Sequence, residues 1–237
     1  MALPVINTPT YELVVPSTDE TIKYRPFLVK EEKILLIALE SGESEDIVNA
    51  VKEIVIACTF EKLDLGKMPM FDVEYIFLQI RAKSVGEVSN LRLLCPDDKE
   101  TYANVEVDLS EIIVQVEEEH TNKIEISDSM GIIMTYPTID SFADTGITDV
   151  TASNMLDVIS SCVLQIYDKK GEEVYEAKDQ TKKELVEFIE QLNTKQFKEV
   201  QRFFDTMPKL KHVVTIENPK TKVKTDVLLQ GLNDFFA

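Results

Sequence analysis

The sequence predicts an α+β protein: two related lobes, each of helices plus a β-hairpin resembling a degenerate zinc-ribbon knuckle, with a further β-hairpin at the N-terminus. Three observations carry that expectation. Apolar residues recur at helical spacing in several segments. Shorter segments between them alternate apolar and polar residues with the period of a strand. Two alternating segments, one in each half, share a plan. The first reads Leu91-Arg92-Leu93-Leu94-Cys95-Pro96-Asp97-Asp98-Lys99 and returns through Val105-Glu106-Val107-Asp108-Leu109. The second reads Val213-Val214-Thr215-Ile216-Glu217-Asn218-Pro219-Lys220-Thr221-Lys222 and returns through Val227-Leu228-Leu229-Gln230-Gly231-Leu232. Pro96 stands as far before Leu109 as Pro219 stands before Leu232.

Tyr11 to Val15 and Thr21 to Tyr24 flank the polar turn Pro16-Ser17-Thr18-Asp19-Glu20 and read as a hairpin. Pro26 keeps the next residues extended. The Leu and Ala content of Ile34 to Glu40 favours a buried helix over a strand, a choice that periodicity alone does not decide. Ser44 is placed to cap the next helix, where Ile47, Val48, Val51, Ile54, Val55 and Cys58 form the stripe. Pro69 opens a third, carrying Val73, Ile76, Phe77 and Ile80, with Gly86 near its end.

Leu109 to Val116 is ambiguous between helix and strand. Lys123 to Ser127 and Ile132 to Tyr136 read as a strand pair, and residues 137–151, rich in Thr, Asp, Ser and Gly, as a linker. Met155, Leu156, Val158, Ile159, Cys162, Val163 and Ile166 then suggest one helix, followed by a turn at Lys169 to Glu172 and a short strand at Val174-Tyr175. Thr181 caps a helix from Lys182 to Leu192 with Glu184 in capping-box position. Thr194 caps another, bearing Phe197, Val200, Phe203 and Phe204, which Pro208 stops. The expected lobes are 1–136 and 152–237, each running helix, helix, hairpin, with an extra charged helix in the second.

At 237 residues the chain can bury a sizeable core, and 44% hydrophobic with 29% charged residues describes a globular protein. Only 7 Gly and no Trp argue against a Gly-rich nucleotide loop or a Trp-rich carbohydrate groove. The net charge of -18 repels phosphate backbones, so nucleic acid is not an expected partner, whereas a basic protein surface is. Met1 to Val5 shows no basic segment leading into an apolar one, and the run Ile34 to Leu39 is too short to cross a bilayer. No membrane role and a soluble intracellular product are expected. Cys58, Cys95 and Cys162 lie far apart, an odd count that suggests a reducing compartment.

A Cys-Pro-x-Cys turn in each hairpin would supply four thiolates for a closed zinc site. Only Cys95 is a cysteine here; Asp98, Asn218 and Thr221 hold the other three positions. Cys95 and Asp98 therefore read as remnants of a lost knuckle, with no metal and no cofactor expected and apolar cross-strand contacts holding the hairpins. No catalytic residue is assigned. His120 follows Glu117-Glu118-Glu119 and reads as solvated, His212 reads as a surface or edge residue, and no nucleophile elbow or phosphate-binding loop is present. The termini are the partner-binding candidates: Pro4 and Pro9 in an extended arm, and Phe235 and Phe236 at the tail. Packing of the two phenylalanines on their own domain is the favoured alternative.

The block Lys23-Tyr24-Arg25-Pro26-Phe27-Leu28-Val29-Lys30-Glu31-Glu32-Lys33-Ile34-Leu35-Leu36 resembles the baseplate hub proteins of T4-like bacteriophages, especially those of cyanophages. So do Leu3-Pro4 through Thr10-Tyr11-Glu12-Leu13, the Cys95-Pro96 turn, and Gly231-Leu232-Asn233-Asp234-Phe235-Phe236. The resemblance implies a non-enzymatic subunit, or an assembly factor, of the hub of a contractile-tail baseplate. It implies hub and tail proteins as partners, a homo-oligomer as one arrangement, and a place in the virion after assembly in the host cytoplasm. Members of that family often carry fuller Cys-Pro-x-Cys turns, from which this chain departs.

Overall fold

The computed structural model describes residues 6–141 and 154–235, so Pro4, Phe236 and most of the expected linker lie outside the described residues. The fold is α+β and begins with the expected hairpin. The chain divides into two compact units. The first comprises Met1–Leu65, Phe71–Gln115 and Lys209–Ala237, the second Gly66–Met70 and Val116–Pro208.

In the first unit, β1 (Tyr11–Val14) pairs antiparallel with β2 (Thr21–Tyr24). Their turn is tied to α3 (Met70–Val85), where the buried Asp72 carboxylate accepts from the Ser17 N–H at 3.1 Å and from the Ser17 hydroxyl. Burial pushes the Asp72 carboxyl up, against the pull of those two donors. Helix α1 (Val29–Ser41) starts where Glu31 turns back to accept from the Leu28 N–H at 2.8 Å, and ends at Gly42, whose φ of 71° suits a residue without Cβ. Helix α2 (Ser44–Cys58) begins at Ser44 itself, so Ser44 is not its cap; the flanking Glu43 gives no side-chain capping bond. Val73, Ile76, Phe77 and Ile80 of α3 are buried as expected, and so are Leu78, Gln79 and Ala82, making α3 the central helix.

Strands β3 (Val88–Leu94) and β4 (Tyr102–Asp108) form the first Pro-turn hairpin. A 3₁₀ turn at Leu109–Glu111 and the two-residue strand β5 (Val114–Gln115) resolve the ambiguous segment into neither a full helix nor a full strand. The second hairpin, β10 (Lys209–Glu217) and β11 (Lys224–Gln230), joins β5 in the order β11-β10-β5. Leu91, Leu93, Cys95, Val107, Val214, Ile216 and Leu229 from both hairpins share one core with Leu78. The observed units therefore cut across the expected lobes 1–136 and 152–237. The replay of helix, helix, hairpin stops at the hairpins, because the helices preceding β10 belong to the other unit.

The second unit contains an antiparallel sheet, β6-β7-β8-β9, together with helices, three of which lie wholly within its described residues. Strands β6 (Lys123–Glu125) and β7 (Met130–Met134) are the expected pair. Helix α4 (Met155–Ser161) is shorter than expected: Val163 and Ile166 lie on β8 (Val163–Asp168), between β7 and β9 (Glu173–Glu176). Thr181 caps α5 (Lys182–Glu190), and Glu184 completes the capping box by accepting from the Thr181 N–H at 2.7 Å. Helix α6 (Thr194–Thr206) is capped by Asn193, not Thr194; its Oδ1 accepts from the N–H groups of Lys195 and Gln196 at 3.0 and 3.1 Å. Ile132, Met134, Cys162, Ile189, Val200 and Phe203 form its core.

Candidate functional site

The two Pro-turns are built to one pattern. In the first, the Cys95 N–H donates to the Thr101 carbonyl at 2.8 Å and the Lys99 N–H closes on the Cys95 carbonyl at 2.9 Å. In the second, the Asn218 N–H donates to the Val223 carbonyl and the Lys222 N–H closes on the Asn218 carbonyl, both at 2.9 Å. The closing lysines match as well: Lys99 and Lys222 hold φ of 54° and 65°, the left-handed region where a side chain costs energy. A strained conformation repeated at equivalent positions carries the kinship of the hairpins further than the proline spacing does.

The turns meet through side chains. Asn218, 1% exposed, donates from Nδ2 to both carboxylate oxygens of Asp97 at 2.9 and 3.1 Å. The Thr221 hydroxyl donates to Asp97 Oδ2 at 2.5 Å. Asn218 Oδ1 meanwhile accepts from the Lys220 and Thr221 N–H groups at 2.8 and 3.2 Å, so the amide uses both ends. Asp98 serves its own turn, accepting from the N–H groups of Glu100 and Thr101 and from the Thr101 hydroxyl. The Asn218 and Thr221 donors hold the Asp97 carboxyl below the usual carboxylate range, and the Thr101 donors do the same for Asp98. Asp97 occupies none of the four ligand positions, so counting thiolate substitutes passes over it. The legible signal is an acid between the two ligand positions of one turn and an amide and a hydroxyl at the two ligand positions of the other.

These residues do not fit a zinc ion. Cys95 offers one thiol, buried and pushed up in pKa by burial and by Asp97 and Asp98. The Asp98 oxygens are engaged, and the Asn218 amide presents N–H to Asp97 where a ligand would present a lone pair. Among the described residues no group of three or more His, Cys, Asp or Glu is placed to hold a metal. What joins the turns is a carboxylate that accepts from an amide and a hydroxyl.

The remaining candidates separate clearly. Phe235 is fully buried with Leu78 and Leu229 in the core of the first unit, so it is not an exposed anchor; its ring packs on its own unit. Pro9 is exposed, outside any helix or strand. His120 is not solvated: its ring nitrogens share hydrogen bonds with Thr206 Oγ1 and Tyr136 OH, both at 3.0 Å, and its ring lies against Tyr136 and Phe203. Burial lowers its pKa. All three cysteines are free and buried, and burial pushes Cys58 up to about 11 and Cys162 up to about 12, away from the reactive thiolate.

The block Arg25 to Leu36 also has a structural explanation. Arg25 Nη2 meets Glu31 Oε1 at 2.9 Å with side-chain exposures of 14% and 3%, while Arg25 Nη1 donates to the Pro26 carbonyl at 2.9 Å. The Arg25 N–H donates to the Cys58 carbonyl at 2.9 Å, fastening the entry of α1 to the end of α2. Among the described residues no helix is long and apolar enough to cross a membrane.

An α+β scaffold of two units, with hydrogen bonds joining its knuckle turns, describes the class. The particular family follows from comparison: residues 8–237 match the family model described as T4 bacteriophage base plate protein, and the chain belongs to that family. No curated protein and no solved structure matches it. Membership gives the chain a structural role in a phage baseplate, a place in the tail baseplate of the virion, and other baseplate or tail proteins as neighbours.

Proposed function

We propose that this chain is a non-enzymatic subunit or assembly protein of the central hub of a contractile tail baseplate of the cyanophage type, acting by protein–protein contacts. The family match over residues 8–237 carries the reading. It is supported by the resemblance of the Arg25 to Leu36 block to hub proteins, and by a net charge of -18 that favours basic protein partners over nucleic acid. In this reading Pro9, together with Pro4, belongs to an arm that reaches neighbouring subunits. The knuckle pair keeps its shape without metal. Assembly takes place in the host cytoplasm, and several copies in one baseplate are compatible with the family role.

Mass spectrometry of purified particles tests the proposal. A hub subunit appears in fixed ratio to the tail proteins, and that ratio gives its copy number. Absence from the particle, with a transient complex during infection, would instead identify an assembly chaperone for hub components. Release of peptidoglycan fragments by the pure protein would contradict the non-enzymatic reading. A fall in melting temperature on chelation would contradict the metal-free one.

A further inference from the structure

Helix α1 carries aliphatic residues on both of its sides. The inner side, with Leu35, Ala38 and the Glu31 carboxylate, is buried. The outer side holds Val29, Leu36 and Ile37 at 79%, 54% and 56% exposure, with Leu39 beside them at 40%. Val29 and Leu36 stand seven residues apart, two turns along one stripe. Single exposed aliphatic residues are ordinary, but four on one short helix form a patch, even with charged residues between them. The buried helix expected from Ile34 to Glu40 is thus covered on one side only.

The charge around this stripe is one-signed toward its end. From Ile34 to Val51 the chain carries Glu40, Glu43, Glu45 and Asp46, all exposed, and no Lys or Arg. Glu43, the N-cap residue of α2, lies with Glu45 and Asp46 at the positive end of that helix, whereas Glu40 lies in the last turn of α1, which has no basic residue to offset it. The N-terminal half of this side also carries the exposed Lys30, Glu32 and Lys33, with Lys33 set between Val29 and Leu36, so the acidic excess lies only at the C-terminal end of the stripe. A surface with an aliphatic patch and an acidic C-terminal end fits a ligand that brings aliphatic residues and positive charge in the same order.

We propose that the outer side of α1 is a docking seam for an amphipathic helix of a basic baseplate protein. Aliphatic residues of that helix cover Val29, Leu36 and Ile37, and its Lys or Arg residues meet Glu40 and Glu43. A helix is the fitting element because a stripe running about 12 Å along the helix axis, from Val29 to Ile37, accepts two turns of the ridge of another. A second copy of this chain is disfavoured because each copy carries -18. The inference rests on the reading of the chain as a baseplate subunit and specifies the surface through which it works.

The test uses the full-length chain and each of the other baseplate subunits of the same phage, purified singly, with dissociation constants measured at low and high salt. A subunit with a basic helix is expected to bind, more weakly as salt rises. Changing Leu36→Ser together with Ile37→Ser should weaken that binding about tenfold or more, since two aliphatic contacts are lost. Glu40→Lys with Glu43→Lys should weaken it and flatten its salt dependence. Val174→Ser with Tyr175→Ser, on the exposed strand β9 of the other unit, should leave it unchanged. All these side chains are exposed, so the variants should melt like the parent. A subunit that binds the α1 variants as tightly as the parent keeps the baseplate reading and removes the seam. Dimerisation of the chain alone, abolished by the Leu36 and Ile37 changes, would make the occupant a second copy and overturn the proposal. If no subunit binds and tails assemble normally without this chain, both readings fall.

Discussion

Replacing Glu31 with alanine would leave the Arg25 guanidinium in the interior of the first unit without its counter-charge. The Glu31 side chain is 3% exposed and Arg25 14%, so water restores little of the lost solvation. The substitution also removes the acceptor of the Leu28 N–H, which Glu31 holds at 2.8 Å at the start of α1. Breaking a buried pair from one side costs roughly 3–5 kcal/mol, because a desolvated charge stays behind. With a denaturant dependence of about 2 kcal/mol per molar urea, the midpoint for the first unit should fall by about 2 M. The chain has no Trp, so the transition is best followed by far-UV circular dichroism. Arg25→Met with Glu31→Leu removes both charges and should cost clearly less than Glu31→Ala alone.

The pH dependence of this pair has a definite sign. Burial pushes the Glu31 carboxyl up, but the Arg25, Leu28 and Lys30 donors outweigh it and hold the pKa below its usual value. The pair's contribution is therefore complete above the unfolded-state carboxylate pKa of about 4.3 and fades as pH falls through the lower folded value. The deficit of Glu31→Ala should shrink over that acid window. A midpoint unchanged at neutral pH, or a double variant as damaged as the single one, would refute the account of Glu31 as the counter-ion that holds Arg25 inside.

Further outcomes follow from the knuckle pair and the tail. Asn218→Ala should cost about 2 kcal/mol in urea unfolding, since a buried amide that donates to Asp97 and accepts from two backbone N–H groups is lost. Asp97→Ala added to it should cost little more, and additive losses would show that the turns are not coupled. Asp97 and Asp98 both titrate below the ordinary range, so their contribution is complete above the unfolded carboxylate pKa and lost as pH falls through the folded values; hydrogen exchange at Lys99 and Lys222 should accelerate in that acid window first. Phe235→Ala should destabilise the first unit by about 3–5 kcal/mol, as for other fully buried aromatic rings, and an unchanged melting temperature would take Phe235 out of the core.

What the sequence disclosed was mainly local. The β1–β2 turn, the stripe of α3, the capping box at Thr181 and Glu184 and the two Pro-turns each depend on residues a few positions apart, where periodicity and turn chemistry act. The misreadings lie where distant partners decide. Val163 and Ile166 follow Ile159 and Cys162 at helical spacing, yet β7 and β9 flank them and draw the segment into a sheet. Asn193 and Thr194 are both competent caps, and adjacency alone does not rank them. His120 looks solvated beside three glutamates, but Tyr136, Phe203 and Thr206 enclose it from far along the chain. The lobe boundary failed for the same reason: β10 returns to β5 across the whole second unit.

That return has a bearing on how the protein is made. Asn218 grips Asp97 from 121 positions downstream, and everything between Val116 and Pro208 belongs to the other unit. A ribosome extruding this chain from its N-terminus releases the intervening unit whole while β3 and β4 still lack their companions. The unit that begins first is thus completed last, once Lys209 onward has left the exit tunnel. A chain stalled before that point would lack Leu210, Val214, Ile216, Leu229 and Phe235, leave the core around Leu91 and Val107 open on one side, and be a natural client for chaperones.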